Sequence, residues 1–274
     1  MSNADRSTAA ADRIMTRMSR RDPTQRFSDR EQTYARYRPT YPGQLYGLLR
    51  RDAGLGAGSP VADLGSGTGL LSKLFLDHGH PIFAVEPNAG MRRAAEAQFA
   101  SDPNFSSVAG RAEATKLPGE CVEFVTAGQA FHWFDAPRAW QEMQRILRPG
   151  GSVALIWNQR DLAASAFMRD YEALLEQFGT DYSQVDQQRT VSDESIAEFF
   201  GPDGAKKATL ANQQVFDAEG LRGRLLSSSY TPTAGDPDCA PMLTALDELF
   251  ARYQQGGVVR FIYQTVIYHG QLLA

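Results

Sequence analysis

The stretch Val61-Ala62-Asp63-Leu64-Gly65-Ser66-Gly67-Thr68-Gly69 limits the folds open to this chain more than any other. Its first residues read as a short buried strand and its three alternate glycines as a tight turn. The apolar positions after Thr68 read as the inner face of a helix. Strand, turn and helix make the opening unit of an α/β sheet, where ligands sit beyond the carboxyl ends of the strands. Glycine suits such a turn because it accepts positive φ and, lacking Cβ, lets a ligand reach the backbone. The helix that follows is expected to aim free N–H groups into the crevice.

Spacing narrows the ligand. A dinucleotide loop reads G-x-G-x-x-G, but Leu70 stands at the third glycine position and the loop is G-x-G-x-G, which argues against a pyrophosphate. Asp63 lies two residues before the first glycine, placed to hold a ligand ammonium group. A second run, Pro81-Ile82-Phe83-Ala84-Val85, ends in Glu86, 21 residues after Gly65. An acid at that distance accepts hydrogen bonds from ribose hydroxyls. A cationic amino acid joined to an adenosine fits both carboxylates.

These residues resemble the first motif and the ribose acid of the class I S-adenosylmethionine-dependent methyltransferases with a type 11 methyltransferase domain. The likeness covers roughly Arg38 to Asn158. It implies S-adenosyl-L-methionine as cofactor, held by Asp63, Gly65, Ser66, Gly67, Thr68, Gly69 and Glu86. It also places Asn88 and Met91 beside the ribose, Ala112 and Glu113 beside the adenine, and Gln129 against the cofactor. The implied fold is α/β: a Rossmann-like, seven-stranded, mostly parallel sheet with helices on both faces, an antiparallel terminal strand and helical lid insertions. The segments Gln129 to Asp135 and Ala154 to Asn158 are similar to a subgroup that includes trans-aconitate methyltransferase-like enzymes of small molecules.

Methyl transfer is an in-line displacement in which the protein mainly aligns the partners and excludes water. A carboxylate acceptor is already an anion, whereas a phenol, hydroxyl or ammonium must lose a proton. His132 is the candidate base, titrating near neutral pH; the alternative is a histidine that orders the loop from Phe131 to Trp133. Tyr37, Arg38 and Tyr41 crowd the segment before a helix at 44–51, and Arg38-Pro39-Thr40-Tyr41-Pro42 is similar to a segment that caps the cofactor site in related small-molecule methyltransferases. Trp133, Asn158 and Arg160 follow strand ends and complete the candidate acceptor pocket. Arg38 and Arg160 are the candidate carboxylate contacts, because planar guanidinium matches carboxylate bidentately.

The expected reaction is methyl transfer to an oxygen, foremost a carboxylate, of a small organic molecule. An NAD-dependent oxidoreductase and a non-catalytic S-adenosylmethionine-binding module are the alternatives. A net charge of −4 over 274 residues gives no electrostatic case for nucleic acid. Only Cys121 and Cys239 are present, far apart, so no metal site is expected. No apolar run reaches membrane-spanning length and no signal peptide is visible, so a cytoplasmic monomer or homodimer is expected. Ser2-Asn3-Ala4 looks like a cloning remnant. Residues 1–30 read as a mobile arm and 31–274 as one domain, with a core over 58–160 and lid and sheet-closing strands over 161–274. The helical stretches 163–200 and 218–254 are expected over the carboxyl ends of the strands.

Overall fold

A computed structural model of the chain describes residues 36–182, 192–201 and 204–272; the expected N-terminal arm and part of the expected helical stretch 163–200 lie outside these. The elements in chain order are α1 (Gln44–Asp52), β1 (Val61–Leu64), α2 (Ser72–Leu76), β2 (Ile82–Val85), α3 (Ala89–Phe99), β3 (Phe105–Val108), β4 (Val122–Gly128), α4 (Ala136–Ile146) and β5 (Leu147–Arg160). There follow α5 (Ala166–Phe178), α6 (Asp193–Phe200), β6 (Lys206–Phe216), α7 (Ala218–Leu226), α8 (Cys239–Tyr253) and β7 (Val259–Gly270).

The seven strands form one sheet in the order β3-β2-β1-β4-β5-β7-β6. β1 to β5 are parallel, and β7 runs antiparallel to both β5 and β6. The short strands β1 and β4 are central and apolar because a parallel sheet is covered on both faces. Alternation sorts their side chains. Ala62, Leu64, Val125, Ala127, Leu155 and Trp157 face one cluster with Ala139, Met143 and Ile146 of α4. Val61, Phe124, Ala154 and Ile156 face the other, with Leu45 and Leu49 of α1, Phe75 of α2 and Ala95 and Phe99 of α3. The edge strand β6 alternates exposed and half-buried residues, and its inner face turns from Ala208 and Leu210 to the polar Asn212 and Gln214.

Helix starts follow local chemistry. Asn88, Asp135, Ser165 and Asp217 each accept a first-turn amide and so cap α3, α4, α5 and α7. A third cluster joins α5, α7 and α8 to Phe216 at the end of β6 and to Val259, Phe261 and Tyr263 at the start of β7, which places these helices at the carboxyl end of the sheet. α6 departs from the expected arrangement. Its Ile196, Phe199 and Phe200 pack into the first cluster, with Phe199 4.7 Å edge-on to Phe131, so this helix covers a sheet face. Three apolar side chains on eight residues bury best against the sheet, whereas α5 and α8 supply each other with a partner. Among the described residues, no helix is long and apolar enough to cross a membrane.

Candidate functional site

The strand order reverses beside β1, and a cleft opens there at the carboxyl ends, as expected of a doubly wound sheet. It holds about 710 Å³ of free space, its open mouth included. Gly65 and Gly67 line it from the loop after β1, Glu86, Pro87 and Met91 from the segment after β2, and Arg111, Ala112 and Glu113 from the segment after β3. Gly128, Gln129, Ala130, Trp133 and Phe134 close it from β4 and the turn that follows.

The glycine loop has a property its spacing alone does not reveal. The amides of Gly65 and Ser66 donate to the Val85 carbonyl, at 2.8 and 3.2 Å, and the Gly69 amide donates to Ser66 at 2.9 Å. The Gly67 amide donates to Glu86 Oε2 at 2.9 Å. Four of the turn's amides, those of Gly65, Ser66, Gly67 and Gly69, are therefore spent inside the protein, because the tight turn folds back onto β2. What the loop offers is bare surface: at Gly67, φ is +58° and a Cβ would meet nothing within 4 Å. A phosphate-binding loop needs amides aimed at the anion, and this one has an acid at its centre instead.

Two buried carboxylates flank the loop. Asp63 is fully buried and accepts from Ser72 Oγ at 2.6 Å through Oδ2, while Oδ1 has no hydrogen-bond partner. Burial pushes its carboxyl up to about 7, against the Ser72 hydrogen bond and with help from the nearby charge of Glu86. Burial raises Glu86 as well, opposed by the amides of Asn88 and Gly67 and by Arg92. Thr68 Oγ1 and Gln129 Oε1 are further buried oxygens without a partner. Gln129 also sits at φ +57°, a strained backbone for a non-glycine residue, at the mouth of β4. The loop region is thus short of donors and rich in acceptors, a setting for a ligand bearing a cation and hydroxyls.

Several expected site residues sit elsewhere or are otherwise engaged. Asp63, Ser66, Thr68 and Gly69 are not among the residues that line the cleft, and a Cβ at Gly69 would run into the Phe99 ring. Asn88 caps α3 by accepting the amides of Gly90 and Met91, which fixes Met91 in the wall. His132 is half-buried in the turn at Phe131–Trp133, outside the lining, with its ring 4.8 Å from that of Trp133. Asn158 is spent on architecture: its amide donates to the Thr40 carbonyl at 3.3 Å and its Oδ1 accepts from Asn212 and from Thr265, at 3.0 and 2.6 Å. Arg160 pairs with Glu172 at 2.9 Å and also donates to Tyr182 and Tyr230. Arg38 donates to the Ser227 carbonyl at 3.2 Å, Tyr37 rests on Gly223 of α7, and the Tyr41 hydroxyl packs against Gly128. Pro87, Arg111, Gly128 and Ala130 line the cleft without having been expected there; each adjoins an expected residue, and that adjacency was the available signal.

The sheet order, the glycine turn and the acid after β2 together define the class I methyltransferase type of fold. Residues 62–155 match the family described as a methyltransferase domain. The chain is 37% identical over 143 residues to an uncharacterized methyltransferase of Mycobacterium tuberculosis, covering 52% of this chain and 56% of that one. It is 33% identical over 122 residues to the malonyl-[acyl-carrier protein] O-methyltransferase of Pectobacterium atrosepticum, covering 44% and 46%. The chain thus spans about half the length of the curated relatives it matches. In fold it is similar to a solved structure from Anaeromyxobacter dehalogenans provisionally named a type II methyltransferase, with a TM-score of 0.65, 23% identity and coverage of 86% of this chain and 99% of that one.

Proposed function

We propose that the chain is an S-adenosylmethionine-dependent methyltransferase of a small organic acceptor, with an oxygen, foremost a carboxylate, as the methylated atom. The observation that carries this reading is the glycine turn whose Gly65, Ser66 and Gly67 amides are held by Val85 and Glu86 and whose flanks are two buried acids. Such a loop repels a pyrophosphate and suits a ligand with an ammonium group and ribose hydroxyls, which disfavours a nicotinamide dinucleotide. Glu86 keeps lone pairs for hydroxyls after accepting from Gly67 and Asn88, and Asp63 Oδ1 lacks a donor. Ala112 and Met91 supply apolar wall for a base and Glu113 a hydrogen-bonding edge.

S-adenosylmethionine held by Asp63, Glu86 and the glycine turn would supply a methyl group on a cationic sulfur, which would keep the electron pair of the broken bond as the acceptor oxygen took the methyl group. The chain's own part is to orient the partners and keep water out, and Trp133 and Phe134 form the apolar wall on the acceptor side. A carboxylate needs no base, and the packing of His132 on Trp133 favours a positioning role for it.

Calorimetric titration with S-adenosylhomocysteine and, in parallel, NAD tests the cofactor. The expected result is binding of the former alone. Gly67→Val, which fills the open surface above the loop, should abolish binding while the circular dichroism spectrum is retained. Binding of NAD alone, or unchanged affinity in Gly67→Val, would overturn the assignment.

A further inference from the structure

Behind Trp133 lies a second polar cluster whose charges do not balance. Arg224 of α7 is 2% exposed, with its guanidinium 5.4 Å over the Phe261 ring. It donates to the Tyr263 hydroxyl and to Ser228 Oγ, both at 3.1 Å. Among the described residues, no carboxylate pairs with it; Glu172, the acid of this region, is held by Arg160. A buried guanidinium satisfied only by hydroxyls keeps its full charge in a poorly solvated place, a costly arrangement that folding alone does not explain. Tyr171 shows the same deficit in neutral form: it is fully buried and its hydroxyl has no hydrogen-bond partner. Nearby, Tyr230 feels Arg160, Arg38 and Arg224 together, and despite the opposing effect of burial its phenol is pulled down to about 8. Among the described residues, the region is short of one acceptor of negative charge.

We infer that this cluster anchors an oxyanion of the methyl acceptor, with Arg224 as its charged contact and Tyr171 as its neutral donor. The inference rests on the methyl-transfer reading above, and three connections tie the cluster to the cleft. Trp133 lines the cleft and packs against the cluster's apolar surround. Gln129 lines the cleft and donates to the carbonyl of Asn158, two residues before Arg160. The segment 37–41 runs from α7, where Tyr37 rests on Gly223 and Arg38 on Ser227, to Gly128 of the cleft wall, where Tyr41 packs.

An oxyanion neutralised by guanidinium is a poor nucleophile, so the anchored group differs from the oxygen that receives the methyl group. The acceptor is therefore bifunctional: a carboxylate or phosphate at one end, held by Arg224, and the methylated oxygen at the other, beside the cleft. A dicarboxylic acid and a phosphorylated carboxylic acid both fit, and neutral acceptors do not.

The test is calorimetric titration of the full chain, saturated with S-adenosylhomocysteine, with linear dicarboxylates of increasing length, their neutral diamides and a phosphomonoester carboxylic acid. At least one dianion should bind and its diamide should not; which anion binds tells carboxylate from phosphate. Arg224→Gln should weaken that binding about 10- to 100-fold with unchanged affinity for S-adenosylhomocysteine. Tyr171→Phe removes a hydroxyl without a partner, so it should keep the fold even where Arg224→Gln does not, and should weaken the anion several-fold. Binding of S-adenosylhomocysteine without binding of any oxyanion, or full anion affinity in Tyr171→Phe, would overturn the proposal. Anion binding that depends on Arg224 in a chain that takes no S-adenosylhomocysteine would uphold the anchor and remove the methyl-transfer reading instead.

Discussion

Asp63 is the residue whose chemistry is most exposed to test. Its carboxyl titrates at about 7 in the folded protein because burial outweighs the Ser72 hydrogen bond, against roughly 3.9 in an unfolded chain. Between those values the folded state binds more protons than the unfolded one, so stability should fall as pH rises from about 4 to about 7. The distance between those two values caps the effect at roughly 4 kcal/mol. Urea denaturation at pH 5 and pH 8 should show wild type losing stability with pH and Asp63→Asn losing less; parallel slopes in the two proteins would contradict this account. The same substitution should weaken S-adenosylhomocysteine by about 10-fold or more, because a hydrogen bond to a charged group contributes roughly 1.5–3 kcal/mol. His132→Ala should raise the acceptor KM more than it lowers kcat, and should add no pH dependence near neutrality, if its task is to hold Trp133. A lost ionisation limb in the kcat profile would make it the base.

At the scale of elements, caps and turns place the cleft walls. Asn88 holds the first turn of α3 with hydrogen bonds of 2.9 and 3.0 Å to the amides of Gly90 and Met91. Asn88→Ala should destabilise the protein by about 1 kcal/mol, the usual worth of an N-cap, with only a small loss of S-adenosylhomocysteine affinity. A large affinity loss at unchanged stability would return Asn88 to the ribose contact that the sequence suggested. The elements themselves were largely legible. The sequence placed α1 at 44–51, within a residue of Gln44–Asp52, because helical signals are local. The packing of α6 was not legible: Phe199 and Phe200 announce a buried face but do not say what buries it.

In the whole molecule, Asn158 links β5 to Asn212 of β6, Thr265 of β7 and the Thr40 carbonyl. Asn158→Leu should cost roughly 2–4 kcal/mol, since each buried polar group left unpaired costs about 1–3 kcal/mol. It should also speed amide hydrogen exchange over 36–42; unchanged exchange there would show that the segment is held without Asn158. Asn158 read in sequence as an acceptor contact, because a polar residue at a strand end faces the crevice in general; its partners at positions 40, 212 and 265 were invisible. By itself the sequence determined the strand, glycine turn and helix, the parallel sheet around them and the two acids beside the turn, since backbone preference and hydrophobic period act within a few residues. Only the tertiary structure decided that the amides of Gly65, Ser66 and Gly67 are taken by Val85 and Glu86, that Arg160 is already paired, and that Arg224 has no acid partner among the described residues. Those outcomes depend on which groups meet across long stretches of chain, such as the 189 residues between Arg38 and Ser227, and no local preference encodes them.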